Sequence, residues 1–318
     1  MSDLPTAAGL LGGLIVCFCF VFILYGVSTT QAYIYFLNCE EDPIWMKLMV
    51  ASVWALETCH SAVAIRLLYF FTILGFGDLQ KAGSVDWSIG PIIIIENVIV
   101  AIVEGFFIRR IWIMSNRNYF LVIVPAFLLV TRLVCHTTAA VFALLSDTWA
   151  EFQASEGPNI TVEISNAVGA AVDGIIAALM IWYLHRNQSG MARTDGVVRW
   201  LMSYTIHSGA LMMCVSLAIA ITYVTLKESL TFLGLVMIVS KLYANSLLGT
   251  LNARGMLRRQ TANAPAADSG GRYELSKFQV ASQMRRIEIY RERTEVTDAV
   301  PVYEDSESHS KIGSFNAV

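Results

Sequence analysis

The chain holds 318 residues, 56% of them hydrophobic and only 15% charged, with a formal net charge of −3. A soluble domain carries about 25% charged residues, so a deficit concentrated in long apolar runs marks a membrane protein. The net charge is small and its distribution matters more, so nucleic acid is not an implied partner. The six cysteines fall at no metal-ligating spacing, and all but Cys39 lie inside apolar runs.

Seven runs have the length of a membrane span: Ala7–Tyr33, Trp45–Leu74, Ser88–Ile108, Tyr119–Leu145, Ile164–Leu184, Trp200–Val224 and Leu230–Leu251. A span needs about 20 apolar residues at a rise of about 1.5 Å each. Polar breaks separate them at Asn38–Pro43, Gly75–Asp86, Ser115–Asn118, Asp147–Glu163, His185–Arg199 and Lys227-Glu228. Met1 to Thr6 carry no Lys or Arg and the first run is too long for a secretory leader, so it reads as a span. The predicted fold is all-α, a seven-transmembrane-helix bundle over residues 1–254.

Basic residues near span ends predict orientation. With the N-terminus outside, Lys47, Arg109, Arg110, Arg117, Arg186, Arg193, Arg199, Arg254, Arg258 and Arg259 lie inside, against only Lys81 and Lys227 outside. The C-terminus is then cytoplasmic. Asn159-Ile160-Thr161 is a glycosylation sequon in an outer loop, whereas Asn187-Gln188-Ser189 falls inside and reads as chance. Residues 255–318 hold nine Lys/Arg and nine Asp/Glu among Ala, Ser, Gly and Pro, the composition of a mostly disordered tail. Within it, Ser276–Arg293 could form a basic amphipathic helix on the inner leaflet.

Ionisable residues inside spans are costly and face protein or a cavity. They are Glu57, Arg66, Glu96, Glu104, Arg132, Asp173 and Lys241, accompanied by His60, His136 and His207. Counting along each span places Glu57, Arg132, Asp173, His207 and Lys241 in one mid-depth layer. Arg66 and Glu96 pair by depth nearer the outer side, and Glu104 falls near the inner side, within reach of Arg109 or Arg110. Glu57 and His60 share one helix face, as do Arg132 and His136. Tyr243 and Asn245 follow Lys241 within about one turn. These nine residues (Glu57, His60, Arg132, His136, Asp173, His207, Lys241, Tyr243 and Asn245) are the candidate core polar site. Such a layer serves either a ligand or proton site, or ion pairs that set helix register. Lys241 is expected to pair with Glu57 or Asp173.

Several segments resemble a family of multispan membrane proteins from mushroom-forming fungi, catalogued as a domain of unknown function. They are Leu24-Tyr25-Gly26 with Gln31, Trp54 to His60, Phe106-Phe107 with Arg110-Ile111-Trp112, and Arg193-Thr194-Asp195 with Tyr204-Thr205. Ser240 to Ser246 with Leu251 to Arg254 close the series. The resemblance covers about residues 10–254 and implies seven helices, but no ligand, reaction or partner. Set against the family pattern, Glu57 stands where Asp is usual, Arg66 where a second His is common, and Glu104 where Gln is usual.

Function is therefore argued from the site. A receptor-like sensor fits the span count, the basic inner face and the tail, although Asp-Arg-Tyr and Asn-Pro-x-x-Tyr motifs are absent. A transporter or proton-coupled carrier is the alternative, favoured by mid-depth charges and disfavoured by the missing internal repeat. A retinal protein is suggested by Lys241 alone, and Met237 occupies the position one turn earlier where the microbial pattern has Asp. No phosphate loop, nucleophile elbow or metal motif occurs, so no enzyme, cofactor or metal is expected. The expected partners are the lipid bilayer, a small core ligand and a cytoplasmic partner for the tail. The expected location is the plasma membrane or another membrane of the secretory pathway.

Overall fold

The computed structural model describes the backbone of residues 7–39, 41–186, 192–227 and 229–263, with side chains over 9–39, 41–78, 80–186, 207–227 and 229–255. The tail beyond residue 263, the Ser276–Arg293 segment, the Asn187 sequon and the side chains of Arg193 and Arg199 lie outside the described residues. Seven long helices form the structure: α1 (Ala7–Asn38), α2 (Ile44–Tyr69), α3 (Ile89–Met114), α4 (Phe120–Leu145), α5 (Glu156–Arg186), α6 (Ala192–Thr225) and α7 (Thr231–Asn263). Each contains a stretch long and apolar enough to cross a membrane. No strand occurs among the described residues. Large apolar side chains such as Phe20, Ile23, Phe127, Val134 and Leu217 point outward, as the surface of a bundle solvated by lipid tails requires. The chain is thus built as a multi-pass membrane protein. Below, the crown is the end where α1, α3, α5 and α7 begin, and the foot is where they finish.

α7 is the central helix. In its most apolar stretch 83% of residues are buried, against 17% in α4. A helix enclosed on all sides must satisfy its polar groups from its neighbours, so Ser240, Lys241, Ser246, Thr250 and Asn252 of α7 are all buried against protein. α1 lies parallel to it along its whole length. Leu230 N–H donates to Leu10 O (3.0 Å), Asn245 Nδ2 to Leu24 O (3.1 Å) and Asn252 Nδ2 to Gln31 O (2.8 Å), so partners advance together on both helices. Small residues permit this approach. A Cβ on Gly13 would lie 2.0 Å from Thr231 Oγ1, and one on Gly234 2.5 Å from Cys17 Cβ.

The crown is capped by its own loops. Val85 N–H donates to Asp147 O (3.1 Å) and Trp149 N–H to Gly83 O (3.0 Å), tying the loop after α2 to the loop after α4. Thr148 caps the short helix Trp149–Ala154, accepting from Glu151 N–H (3.2 Å). Its Trp149 then packs edge-on against Phe232 at the start of α7. The acidic Asp147–Glu163 segment, expected as a loop, is helical for much of its length, because α5 begins at Glu156 with an acid in its first turn and Pro158 close behind. At the foot, α3 turns into α4 through Asn116 and Arg117, at φ 55° and 65°. That left-handed pair reverses the chain in a few residues, and Arg117 is held there by stacking over Trp112, 5.5 Å from the ring centre.

Candidate functional site

The mid-depth charges assemble into two clusters on opposite flanks of α7. In the first, Lys241 Nζ donates to Glu57 Oε2 (2.5 Å), Glu57 O (3.3 Å) and Ser61 Oγ (3.0 Å). An ammonium has three hydrogens, and all three are engaged. The Tyr25 ring lies 5.6 Å from Nζ and adds the negative face of its π system. Lys241 and Glu57 are both 0% exposed. His60 is equally enclosed, and neither of its ring nitrogens has a hydrogen-bond partner. The expected pairing of Lys241 with Glu57 is the one the structure makes; Asp173 belongs elsewhere.

The second cluster is centred on Arg132 of α4. Its Nη1 donates to Glu104 Oε1 of α3 and to the Tyr243 hydroxyl of α7. Tyr243 in turn donates to Asp173 of α5, at 2.7 Å from Oδ2. Four helices therefore meet on one guanidinium. Gly169 on α5 makes room for it, since a Cβ there would stand 3.1 Å from Arg132 Nε. Beside this group His136 Nδ1 meets Asn97 Oδ1 (2.9 Å), and Asn97 Nδ2 donates to Thr137 Oγ1 (2.9 Å).

Between the clusters stands Glu96 of α3. It is 1% exposed, and its Oε2 has no hydrogen-bond partner. It lies within electrostatic reach of Arg132, Lys241 and Glu57. With Arg132 and His136 it lines a cavity of about 20 Å³, and a second of about 30 Å³ touches Glu104, Asp173 and Tyr243. Each has space for a water or two, since one water needs about 10–15 Å³ on this measure.

Several expected placements are corrected. Glu104 does not reach Arg109 or Arg110 but pairs with Arg132. The apolar run that suggested a shallow Glu104 stops at Ile108, whereas the helix continues to Met114, so Glu104 sits ten residues from the helix end and level with Arg132, twelve residues after Phe120. Arg66 pairs with Asp86 (3.4 Å) and stacks over Phe70 and Trp87, leaving Glu96 to the core. Asn245 Nδ2 serves the α1–α7 seam, donating to Leu24 O and to the carbonyl of Lys241. His207 is exposed on α6, while its neighbours Ser208 and Gly209 line the cavity beside Asp173 and Tyr243. Asn159 is part of the crown: its Nδ2, the atom a glycan would need, donates to Gln153 O (2.9 Å), and its Oδ1 accepts from Tyr223 (2.5 Å). Glu104, Ser61, Tyr25 and Glu96 are contributors that sequence reasoning left out of the site. For Ser61 the available signal was its place one turn after Glu57. Among the described residues no group of three or more His, Cys, Asp or Glu is placed to hold a metal ion.

Fold and site together define a seven-helix membrane bundle with a buried ionic core. A sequence profile described as a family of unknown function (DUF6534) matches residues 169–256, from the middle of α5 through α7. That interval carries Asp173, Lys241 and Tyr243 but neither Glu57 nor Arg132. No curated protein and no solved structure matches the chain.

Proposed function

We propose that this protein is a receptor-like sensor whose ionic core is a two-state element, with the N-terminus and crown outside and the foot and tail cytoplasmic. The observation that carries the reading is Glu96, a buried carboxylate standing between two cations that are both already paired. A buried carboxylate oxygen left without a hydrogen bond is costly, and moving the Arg132 guanidinium from Glu104 to Glu96 would relieve it while stranding Glu104. Two arrangements of similar cost make a bistable element, which a helix displacement of an ångström or two can bias. The small cavities beside Arg132 supply the space. They are too small for an organic ligand, so the stimulus acts on the helices from outside the core. The basic foot supports the orientation. The fully engaged ammonium of Lys241 weighs against a retinal linkage, and no catalytic step is part of the proposal.

Spin labels at the exposed positions Leu48 on α2 and Trp182 on α5, both at the foot, test it. In nanodiscs, electron–electron distances should show two populations for the parent protein and one for Glu96→Gln, which removes the second acceptor. A single distance unchanged by Glu96→Gln would refute the switch. The alternative, a proton-coupled carrier, is favoured by Glu96 and His136 lining one water-sized cavity. It predicts acidification of proteoliposomes under an imposed gradient, abolished by Glu96→Gln, where the sensor reading predicts none.

A further inference from the structure

The largest cavity described is not in the core. At the foot, between the start of α2 and the ends of α3 and α7, lies a space of about 330 Å³ into which Arg109, Arg110 and Arg254 all reach. Trp45, Met46 and Phe106 supply apolar wall, and among the described residues no acidic side chain lines it. Basic residues flanking a span are ordinary on a cytoplasmic face. These three are set apart by being positioned. Arg109 stacks over the Trp45 ring, 4.5 Å from its centre, which fixes the guanidinium plane and leaves its N–H edge free to donate. Arg254 is anchored by Asp42 Oδ1 (2.5 Å), and Asp42 is held by the Tyr35 hydroxyl (3.1 Å). Arg110 makes no ion pair among the described residues. Among the described residues lining or anchoring the cavity, three cations stand against the single carboxylate behind Arg254, an excess of positive charge.

We infer that this cavity is a binding site for a phosphate ester. Guanidinium forks match the several oxygens of a phosphate, which can accept from three arginines at once where a carboxylate offers only two oxygens. The volume suits a headgroup-sized ligand. The site is also at the level where the spans of α3 and α7 end, the depth of phospholipid phosphates, and basic pockets between helices at that depth take anionic headgroups. A lipid and a soluble phosphate ester share this chemistry. The inference is independent of the switch in the core.

Thermal unfolding of the full-length protein in neutral detergent tests it with two probes, dioctanoyl phosphatidic acid and glycerol 3-phosphate, and dioctanoyl phosphatidylcholine as control. A saturable rise in Tm with phosphatidic acid is expected, with apparent affinity weakened at least about tenfold by Arg109→Gln with Arg110→Gln, the loss of about one bidentate contact. A rise with phosphatidic acid alone assigns the site to a lipid, and a rise with both probes assigns it to the phosphate group itself. Should the double variant fail to fold, Arg110→Lys, which keeps the charge and loses the fork, must still weaken the response. No saturable rise with either anionic probe, an equal rise with phosphatidylcholine, or a response indifferent to the arginine variants would overturn the assignment.

Discussion

The ammonium of Lys241 spends all three hydrogens inside a sealed pocket, on the carboxylate and carbonyl of one residue and the hydroxyl one turn on. The guanidinium of Arg132, at similar depth, donates to Glu104 and Tyr243 through a single nitrogen, with small cavities flanking its cluster, one of them shared with Glu96, whose Oε2 has no hydrogen-bond partner. Both are buried cations in one bundle, yet the first has no room to move and the second does. The contrast teaches that buried charge alone does not identify a working site in a membrane protein. What distinguishes one is slack, meaning free donors, water-sized space and a second acceptor within reach.

The contrast is broken most severely at Lys241. Lys241→Met strands Glu57 in a place no water reaches, and should lower stability by about 3–5 kcal/mol. Adding Glu57→Gln should restore much of that loss, whereas adding Asp173→Asn should be merely additive. Thermal unfolding of the detergent-solubilised single and double variants measures both cycles. A recovery with Asp173→Asn equal to that with Glu57→Gln would erase the distinction between the two clusters.

A smaller loss is expected on the looser side. Tyr243→Phe keeps the ring that packs on Arg132 but deletes the hydroxyl bridging it to Asp173. The cost should be about 1–3 kcal/mol, softened where water from the adjoining cavity replaces the bond. The same unfolding assay reads it, and a loss as large as that of Lys241→Met would place both clusters in the sealed class. Smallest of all is Gly169→Ala, whose added methyl presses on Arg132 Nε and requires a shift of a few tenths of an ångström. Stability should change by about 1 kcal/mol or less, while the balance of the two spin-label distances moves. A stability change with no change in that balance would separate Gly169 from the switch.

Depth was legible in the sequence and direction was not. The Lys241–Glu57 pair follows from residue counting because both residues lie well within their spans. Glu104 was misplaced because α3 remains helical through Arg109 and Arg110, whose long stems let the apolar face continue past the apolar run. His207, exposed on α6, and Asn245, on the α1–α7 seam, show a second limit. These helices are apolar nearly all round, so no polar stripe reveals which side faces the core, and a residue at the right depth can point to lipid or to a neighbouring seam. Glu96 could be located along its helix but not between the cations, since that depends on how α3 is turned against α4 and α7. The foot cavity escaped notice because its arginines resemble an ordinary basic flank until Trp45 and Asp42 are seen to hold two of them.

The parallel seam between α1 and α7 has a consequence for how the molecule is made. A ribosome delivers α1 first and α7 last, so the first helix waits in the bilayer through the synthesis of five others before its partner exists. Until then Gly13 has no Thr231 and Cys17 no Gly234 to pack against, and Glu57 on α2 has no ammonium. A chain cut short between the end of α6 and Thr231 leaves both defects unrepaired in membrane already occupied by six helices. The final span thus acts as a proof of completion, because its arrival closes the seam and neutralises the acid in one event.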